Sequence, residues 1–112
     1  MAKGDFVGEF ELYVMLALAH LGDEAYGVAI RREIESRTGR TVAIGAVYAT
    51  LARLQDKGLV RFHLSEPQPV QGGRARKYFT LTRSGIGALR HSTSMLGRMI
   101  AGLSPGLKGG LW

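Results

Sequence analysis

The 112 residues include no cysteine, which excludes disulfides, a thiol nucleophile and any cysteine-based zinc site. The longest apolar run, Leu12 to Ala19, is far too short to span a bilayer. The first residues, Met1-Ala2-Lys3-Gly4-Asp5, lack the basic-then-apolar form of a signal peptide. These absences point to a cytoplasmic protein with no membrane partner. Internal repeats and low-complexity runs are missing too, and the length argues for one domain with a modest core. The most informative absence is of acid: no Asp or Glu follows Glu66.

That gap decides where the charge lies. The formal net charge is +6. Residues 1–66 carry eight Lys/Arg against nine Asp/Glu, or −1, whereas residues 67–112 carry seven Lys/Arg and no acid, or +7. A block of one sign invites a polyanion, nucleic acid before an anionic membrane surface.

Catalysis has no foothold. His20, His63 and His91 fall on different elements, with no i, i+4 His pair and no His-Glu metal spacing. The serines lack a nucleophile-elbow context, and Gly72-Gly73 sits where a hairpin is expected rather than ahead of a helix. The expectation is a protein that is not an enzyme and uses neither metal nor cofactor.

Apolar periodicity predicts the elements. A first helix is expected from about Asp5, as its cap, to His20, with Gly22 closing it. Phe6, Phe10, Tyr13 and Ala17 recur at helical spacing, and Leu12, Met15, Leu16 and Leu18 extend the apolar surface nearly all round. Such a helix must be covered on most sides, and a partner subunit is one natural cover. A second helix, capped by Asp23, is expected over about Ala25–Arg37, with Tyr26, Ala29, Ile30 and Ile34 inward and Gly39 closing it. A third is expected over about Ile44–Lys57, with Val47, Leu51 and Leu54 inward and Gly58 at its end. Two short helices with a brief linker suggest helix-turn-helix.

The period then changes from helical to alternating. Leu59–Leu64 and Lys77–Leu81 read as strands, with Tyr78 facing the core and Lys77 facing out. Between them, Pro67, Pro69, Gly72 and Gly73 mark a long basic hairpin tip, a wing. Thr82 can cap a last helix reaching Leu103. In it Ile86, Leu89, Thr93, Leu96, Ile100 and Leu103 form an a/d seam of about two and a half heptads, flanked by Met95 and Met99. The expected fold is mainly α with a small β-hairpin. Residues 5–82 form a winged helix-turn-helix with an N-terminal helix, 83–103 a long C-terminal dimerisation helix, and 104–112 a flexible tail.

Three stretches together resemble the PadR family of bacterial transcriptional regulators: Ala25-Tyr26-Gly27; Gly45-Ala46-Val47-Tyr48-Ala49-Thr50-Leu51-Ala52-Arg53-Leu54 with Lys57-Gly58-Leu59-Val60; and Gly72-Gly73-Arg74-Ala75-Arg76-Lys77-Tyr78-Phe79-Thr80-Leu81-Thr82. The resemblance spans roughly residues 8–103 and is to the short class, without a separate helical C-terminal domain. It implies that the third helix enters the major groove, that the wing grips the backbone or minor groove, and that the first and last helices build a two-fold dimer. Members of that family are usually repressors, and some respond to small ligands. The chain departs from the family pattern at Ala43, where a Ser-like cap is common, and at Ala49, where Pro is common.

The expected DNA-binding residues are Gly45, Ala46, Tyr48, Ala49, Thr50 and Arg53 on the third helix and Gly73, Arg74, Arg76 and Lys77 on the wing. Tyr48 either donates to a phosphate or packs as a partly buried aromatic between helices, and Thr50 reaches a base edge or a phosphate. Because Gly45, Ala46 and Ala49 carry almost no side chain, readout would rest on thymine methyls and DNA shape. The expected dimer residues are Phe10, Tyr13, Ile86, Leu89, Leu96, Met99, Ile100 and Leu103.

The expected partners are double-stranded DNA with a pseudo-palindromic operator and a second copy of the chain. A third reading places a small hydrophobic effector in a slot between the first and last helices, lined by Phe10, Tyr13, Met95, Met99 and Trp112; packing of the dimer by these same residues is the favoured reading. A winged-helix module that binds a protein or RNA is the alternative. If the wing neutralises phosphates, Arg74→Ala with Arg76→Ala will weaken binding to every duplex and flatten its salt dependence. An unchanged salt slope in a fluorescence titration would remove the wing from the interface.

Overall fold

A computed structural model describes residues 7–66 and 75–108. Helix α1 (Glu9–Leu21) leads through a 3-10 turn (Gly22–Glu24) to α2 (Gly27–Thr38) and α3 (Ile44–Asp56). Strands β1 (Val60–Leu64) and β2 (Lys77–Leu81) follow, then α4 (Arg83–Ile100) and a one-turn helix α5 (Pro105–Lys108). The strands pair antiparallel with Val60 opposite Leu81, Phe62 opposite Phe79 and Leu64 opposite Lys77. Helix, helix, helix, hairpin, helix is the winged-helix order the sequence predicts.

Burial of apolar surface drives the assembly. Val14, Met15, Ala17 and Leu18 of α1 meet Ile30 and Ile34 of α2, Val47, Leu51 and Leu54 of α3, and Val60 and Phe79 of the hairpin in one buried cluster. α1 is thus largely covered by its own chain, and Phe10, Tyr13 and Leu21 stay partly buried against the cluster. Glycine ends the next two helices as expected: Gly39 takes the left-handed conformation after α2, at φ 74° and ψ 3°, and Gly58 follows α3 at φ 75°.

α4 is fixed at its start. The Thr82 hydroxyl accepts from the Gly85 amide (3.0 Å) and donates to the Gly58 carbonyl (2.7 Å), while the Thr82 amide donates to the Leu59 carbonyl (3.0 Å). The helix therefore starts against the backbone that leads into β1. A Cβ on Gly85 would lie 2.0 Å from the Leu59 carbonyl oxygen, so only glycine permits this approach. Gly85 and Ala88 are the buried residues of α4, both within its first two turns. The remainder of the helix carries its apolar residues uncovered or half covered.

Several expectations need correction. α1 begins at Glu9, with Gly8 as its N-cap; Asp5 and Phe6 lie outside the described residues. Asp23 sits in the 3-10 turn, and the N-cap of α2 is Tyr26, with no side-chain cap. Tyr26 is drawn into strand geometry by an isolated antiparallel bridge to Tyr78, and tertiary pairing overrides the local capping signal. In β2 the core residue is Phe79, while Tyr78 lies on the opposite face with its ring 5.7 Å from His63 and 5.8 Å from Tyr26. Lys77 shares the Phe79 face, its ammonium 3.9 Å from the Phe62 ring centre. α4 stops at Ile100, so Leu103 lies beyond it, after Gly102 at φ 86°. Part of the expected flexible tail is the helical turn α5; Trp112 lies outside the described residues.

The contrast between two glycines of α4 is testable. Around Gly87 a Cβ meets nothing within 4 Å, so Gly87→Ala should stabilise by about 0.5–1 kcal/mol through helix propensity. Gly85→Ala gains the same propensity but drives a methyl into a carbonyl, and should destabilise by about 1–3 kcal/mol. Opposite shifts in a urea melt are expected; two shifts of the same sign would refute the close approach.

Candidate nucleic-acid interface

One face of α3 is inside and the other is bare. Val47, Leu51 and Leu54 are buried, and the face carrying Gly45, Ala46, Tyr48, Ala49, Ala52 and Arg53 is exposed. Ala43 precedes the helix with extended backbone and no side-chain cap, so the amides of the first turn end the helix beside a surface of small side chains.

Thr50 does not belong to that surface. It is 1% exposed, and its hydroxyl accepts from Arg53 Nη2 at 2.9 Å. Position 50 completes the i, i+3, i+4, i+7 stripe begun by Val47, and that spacing was the signal for an inward side chain. The Thr50 hydroxyl is thus turned away from solvent and towards Arg53.

Tyr48 is half packed and half open. Its side chain is partly open, at 46% exposure, yet the phenol packs over the first turn of α2. A Cβ on Gly27 would come within 2.3 Å of the Tyr48 hydroxyl oxygen. The Ala25-Tyr26-Gly27 stretch thus has three tasks. Ala25 is buried and its carbonyl accepts from the Phe79 amide at 2.8 Å. Tyr26 bridges to Tyr78, and Gly27 leaves room for Tyr48.

The base of the wing is joined to the helix-turn-helix by aromatic and cationic contacts. The Arg76 guanidinium lies 4.1 Å from the Tyr26 ring centre, within cation–π range. The Arg76 amide donates to the Ser65 hydroxyl, and the Ser65 amide to the Arg76 carbonyl, each at 2.8 Å. Arg76 and Lys77 are exposed. Gly73 and Arg74 lie outside the described residues.

Sequence reasoning overlooked Glu11, Lys57 and Arg40. Glu11 is only 8% exposed. Its carboxylate accepts from the Gly8 amide at 2.9 Å and from Lys57 Nζ at 3.0 Å to each oxygen, and Arg53 Nε stands 3.9 Å away. Two acids head this apolar helix, and Glu11, two positions after Glu9, was the one set among inward apolar residues; a buried carboxylate requires a partner. Arg40, in the linker between α2 and α3, covers the Phe10 and Tyr13 rings at 5.9 and 5.8 Å and pairs with Glu9 at 3.3 Å. It faces a cleft of about 190 Å³ whose walls include Phe10, Ala43 and Ala46.

A second cleft, also about 190 Å³, opens between α1 and α2, with Tyr13, Leu16, Ala17 and Ile34 as its apolar lining. It is not the expected slot between the first and last helices. Among the described residues, no group of three His, Cys, Asp or Glu could hold a metal, and no helix is long and apolar enough to cross a membrane.

The exposed small-residue face of α3 and the cationic side chains Arg76 and Lys77 at the hairpin base thus belong to one winged-helix framework. The family model described as the transcriptional regulator PadR-like family matches residues 15–91. The chain belongs to the PadR-like family of transcriptional regulators. A PadR family transcription regulator from Clostridium difficile R20291 is similar at 25% identity and TM-score 0.71, covering 82% of this chain and 91% of that one. A PadR-like transcription factor from Bacteroides fragilis is similar at 27% identity and TM-score 0.67, covering 80% and 82%. RosR of H. salinarum, in the hsRosR-S1 complex, is similar at 26% identity and TM-score 0.68, covering 89% and 82%. A comparison with curated proteins gives no match. The PadR-like region thus runs from the middle of α1 into α4 and includes the helix-turn-helix and the hairpin.

The Glu11 contacts have a pH signature. Burial alone pushes this carboxyl up, but the Gly8 amide, Lys57 and Arg53 outweigh it and hold it below its ordinary value of 4.5. A carboxyl lowered on folding stabilises above its unfolded value, and that contribution disappears as pH falls through the lowered folded value. The stability difference between the native protein and Glu11→Gln should therefore be constant from about pH 7 to 5 and shrink below about pH 4.5. Urea melts across that range provide the check, and a difference that does not change with pH would refute the ion pairing.

Proposed function

We propose that this PadR-like regulator is a homodimeric, sequence-specific DNA-binding repressor in the cytoplasm. The observation that carries the reading is the juxtaposition of the exposed small-residue face of α3 with the cationic base of the wing. Gly45, Ala46 and Ala49 let α3 approach the floor of the major groove, where apolar contact with thymine methyls and groove shape supply modest specificity. Tyr48 and Arg53 are assigned to phosphates, as are Arg76 and Lys77 and, from the sequence, Gly73 and Arg74.

The dimer is proposed from α4. Met99 is 79% exposed, and Ile86 and Leu96 are also open, while Leu89, Ile100 and Leu103 are half buried. A row of apolar side chains at seam spacing, left uncovered in one copy, is what a second copy would cover. Phe10 and Tyr13 on α1 extend the same proposed interface. The seam is too short to hold two helices alone, so docking against the body of the partner is part of the proposal.

Occupancy of a promoter by such a dimer suffices for repression, with no surface beyond those for DNA and for the second copy. A small hydrophobic effector, if one acts, is best accommodated by the cleft between α1 and α2, whose apolar walls support that assignment.

The deciding experiment is fluorescence anisotropy at about 150 mM salt, comparing DNA from upstream of the protein's own gene with a scrambled duplex. Preferential saturable binding at two subunits per site is expected, with half-sites about 34 Å apart. Equal binding to both duplexes, if repeated with duplexes from a random-sequence selection, would overturn sequence specificity. No binding to any DNA would turn the reading towards a protein or RNA partner.

A further inference from the structure

The two buried polar side chains among the described residues, Glu11 and Thr50, are both joined to one arginine. Arg53 donates from Nη2 to Thr50 at 2.9 Å and presents Nε to Glu11 at 3.9 Å. Its side chain nevertheless stays 57% exposed. Glu11 is itself anchored, by the Gly8 amide at the head of α1 and by Lys57 at the end of α3. One edge of the guanidinium therefore makes a hydrogen bond to Thr50 and an ion-pair contact with Glu11, while the side chain as a whole stays open to solvent. An unrestrained arginine samples many rotamers and neutralises any phosphate within reach. A restrained one offers its donors in one direction, with less side-chain entropy left to lose on binding.

We propose that Glu11 and Thr50 are positioning residues for DNA selectivity: they hold Arg53 in one orientation, so that its free donors meet a phosphate only when α3 is in its specific register. The inference rests on the DNA-binding reading above and adds residues that do not touch DNA. The anionic carboxylate on α1 works against general affinity, because it offsets positive charge beside the interface. It favours selectivity, because phosphate contacts fix the register from which bases and groove shape are read.

The signature is a change of ratio rather than of affinity alone. Glu11→Gln should leave binding to a scrambled duplex unchanged or tighter, and lower the preference for the best duplex from a random-sequence selection by about threefold to tenfold. Thr50→Val tests the same restraint without changing charge and with no carboxylate lost from the α1–α3 contact, so it stands in if Glu11→Gln fails to fold. Its preference should fall in the same direction. In an Arg53→Ala background both effects should vanish, since each acts through the guanidinium. Effects that persist undiminished without Arg53, or an unchanged ratio in both single variants, would overturn the proposal.

A DNA-free readout separates this inference from the reading beneath it. The Arg53 Nε–H resonance should show an ordered side chain in the native protein and a mobile one in both variants. An ordered Arg53 in a protein with no duplex preference would sink the DNA-binding reading while leaving the restraint intact. A mobile Arg53 in the native protein would sink the restraint itself.

Discussion

Much of this fold is organised around a buried carboxylate. Glu11 sits in the first turn of a largely apolar helix, enclosed where α1 meets the end of α3, and no carboxylate stays charged in such a place without partners. Lys57 and the Gly8 amide satisfy it, and Arg53 stands close by. The need to pair that one charge ties the first helix of the chain to the helix that carries the candidate reading face. Apolar packing alone, being non-directional, would leave α3 freer to rotate about its axis against Val14, Met15 and Leu18. The ion pair and its hydrogen bonds add directional contacts to the rotation that the buried Val47, Leu51 and Leu54 stripe already favours.

The second organising constraint is close backbone approach. Gly85 lets the start of α4 sit on the Leu59 carbonyl, and Gly27 lets the Tyr48 phenol lie over α2. Each contact joins elements that apolar burial has already brought near, and each fixes a direction. The first sends α4 away from the hairpin base along a path where only its first two turns are buried. The second places an aromatic side chain at the junction of both helices of the helix-turn-helix. Together with the Tyr26–Tyr78 bridge and Arg76 over Tyr26, they join the helix-turn-helix to the base of the wing.

α4 presents the opposite situation. Its capped start is tightly held, while the seam beyond carries exposed apolar side chains. An elongated helix with an uncovered apolar face is incompletely stabilised by its own chain, and this incompleteness, more than the seam's length, argues for a second copy.

The sequence by itself determined a good deal. Apolar spacing marked α2, α3 and α4 to within a few residues, Gly39 and Gly58 marked helix ends, and Thr82 marked the last helix start, because these signals are local and depend on backbone geometry alone. The order of elements and the charge gap after Glu66 were enough to indicate a winged helix with a basic second half. Tertiary structure decided what local signals could not. Thr50 lies at a core spacing from Val47 and Leu54, but its hydroxyl argued for the surface, and only the Arg53 hydrogen bond seen in the fold accounts for a buried hydroxyl. Tyr78 and Phe79 alternate equally well in either sense, and only packing against α1 and pairing with Tyr26 selected Phe79 for the interior. Asp23 carried a capping signal that lost to a strand bridge between Tyr26 and Tyr78, residues far apart in the chain. Glu11 was visible only as an anomaly, since its partners at 53 and 57 lie more than forty positions away. Long-range pairing of charge and strand is not encoded in any local period, so only the tertiary structure could show it.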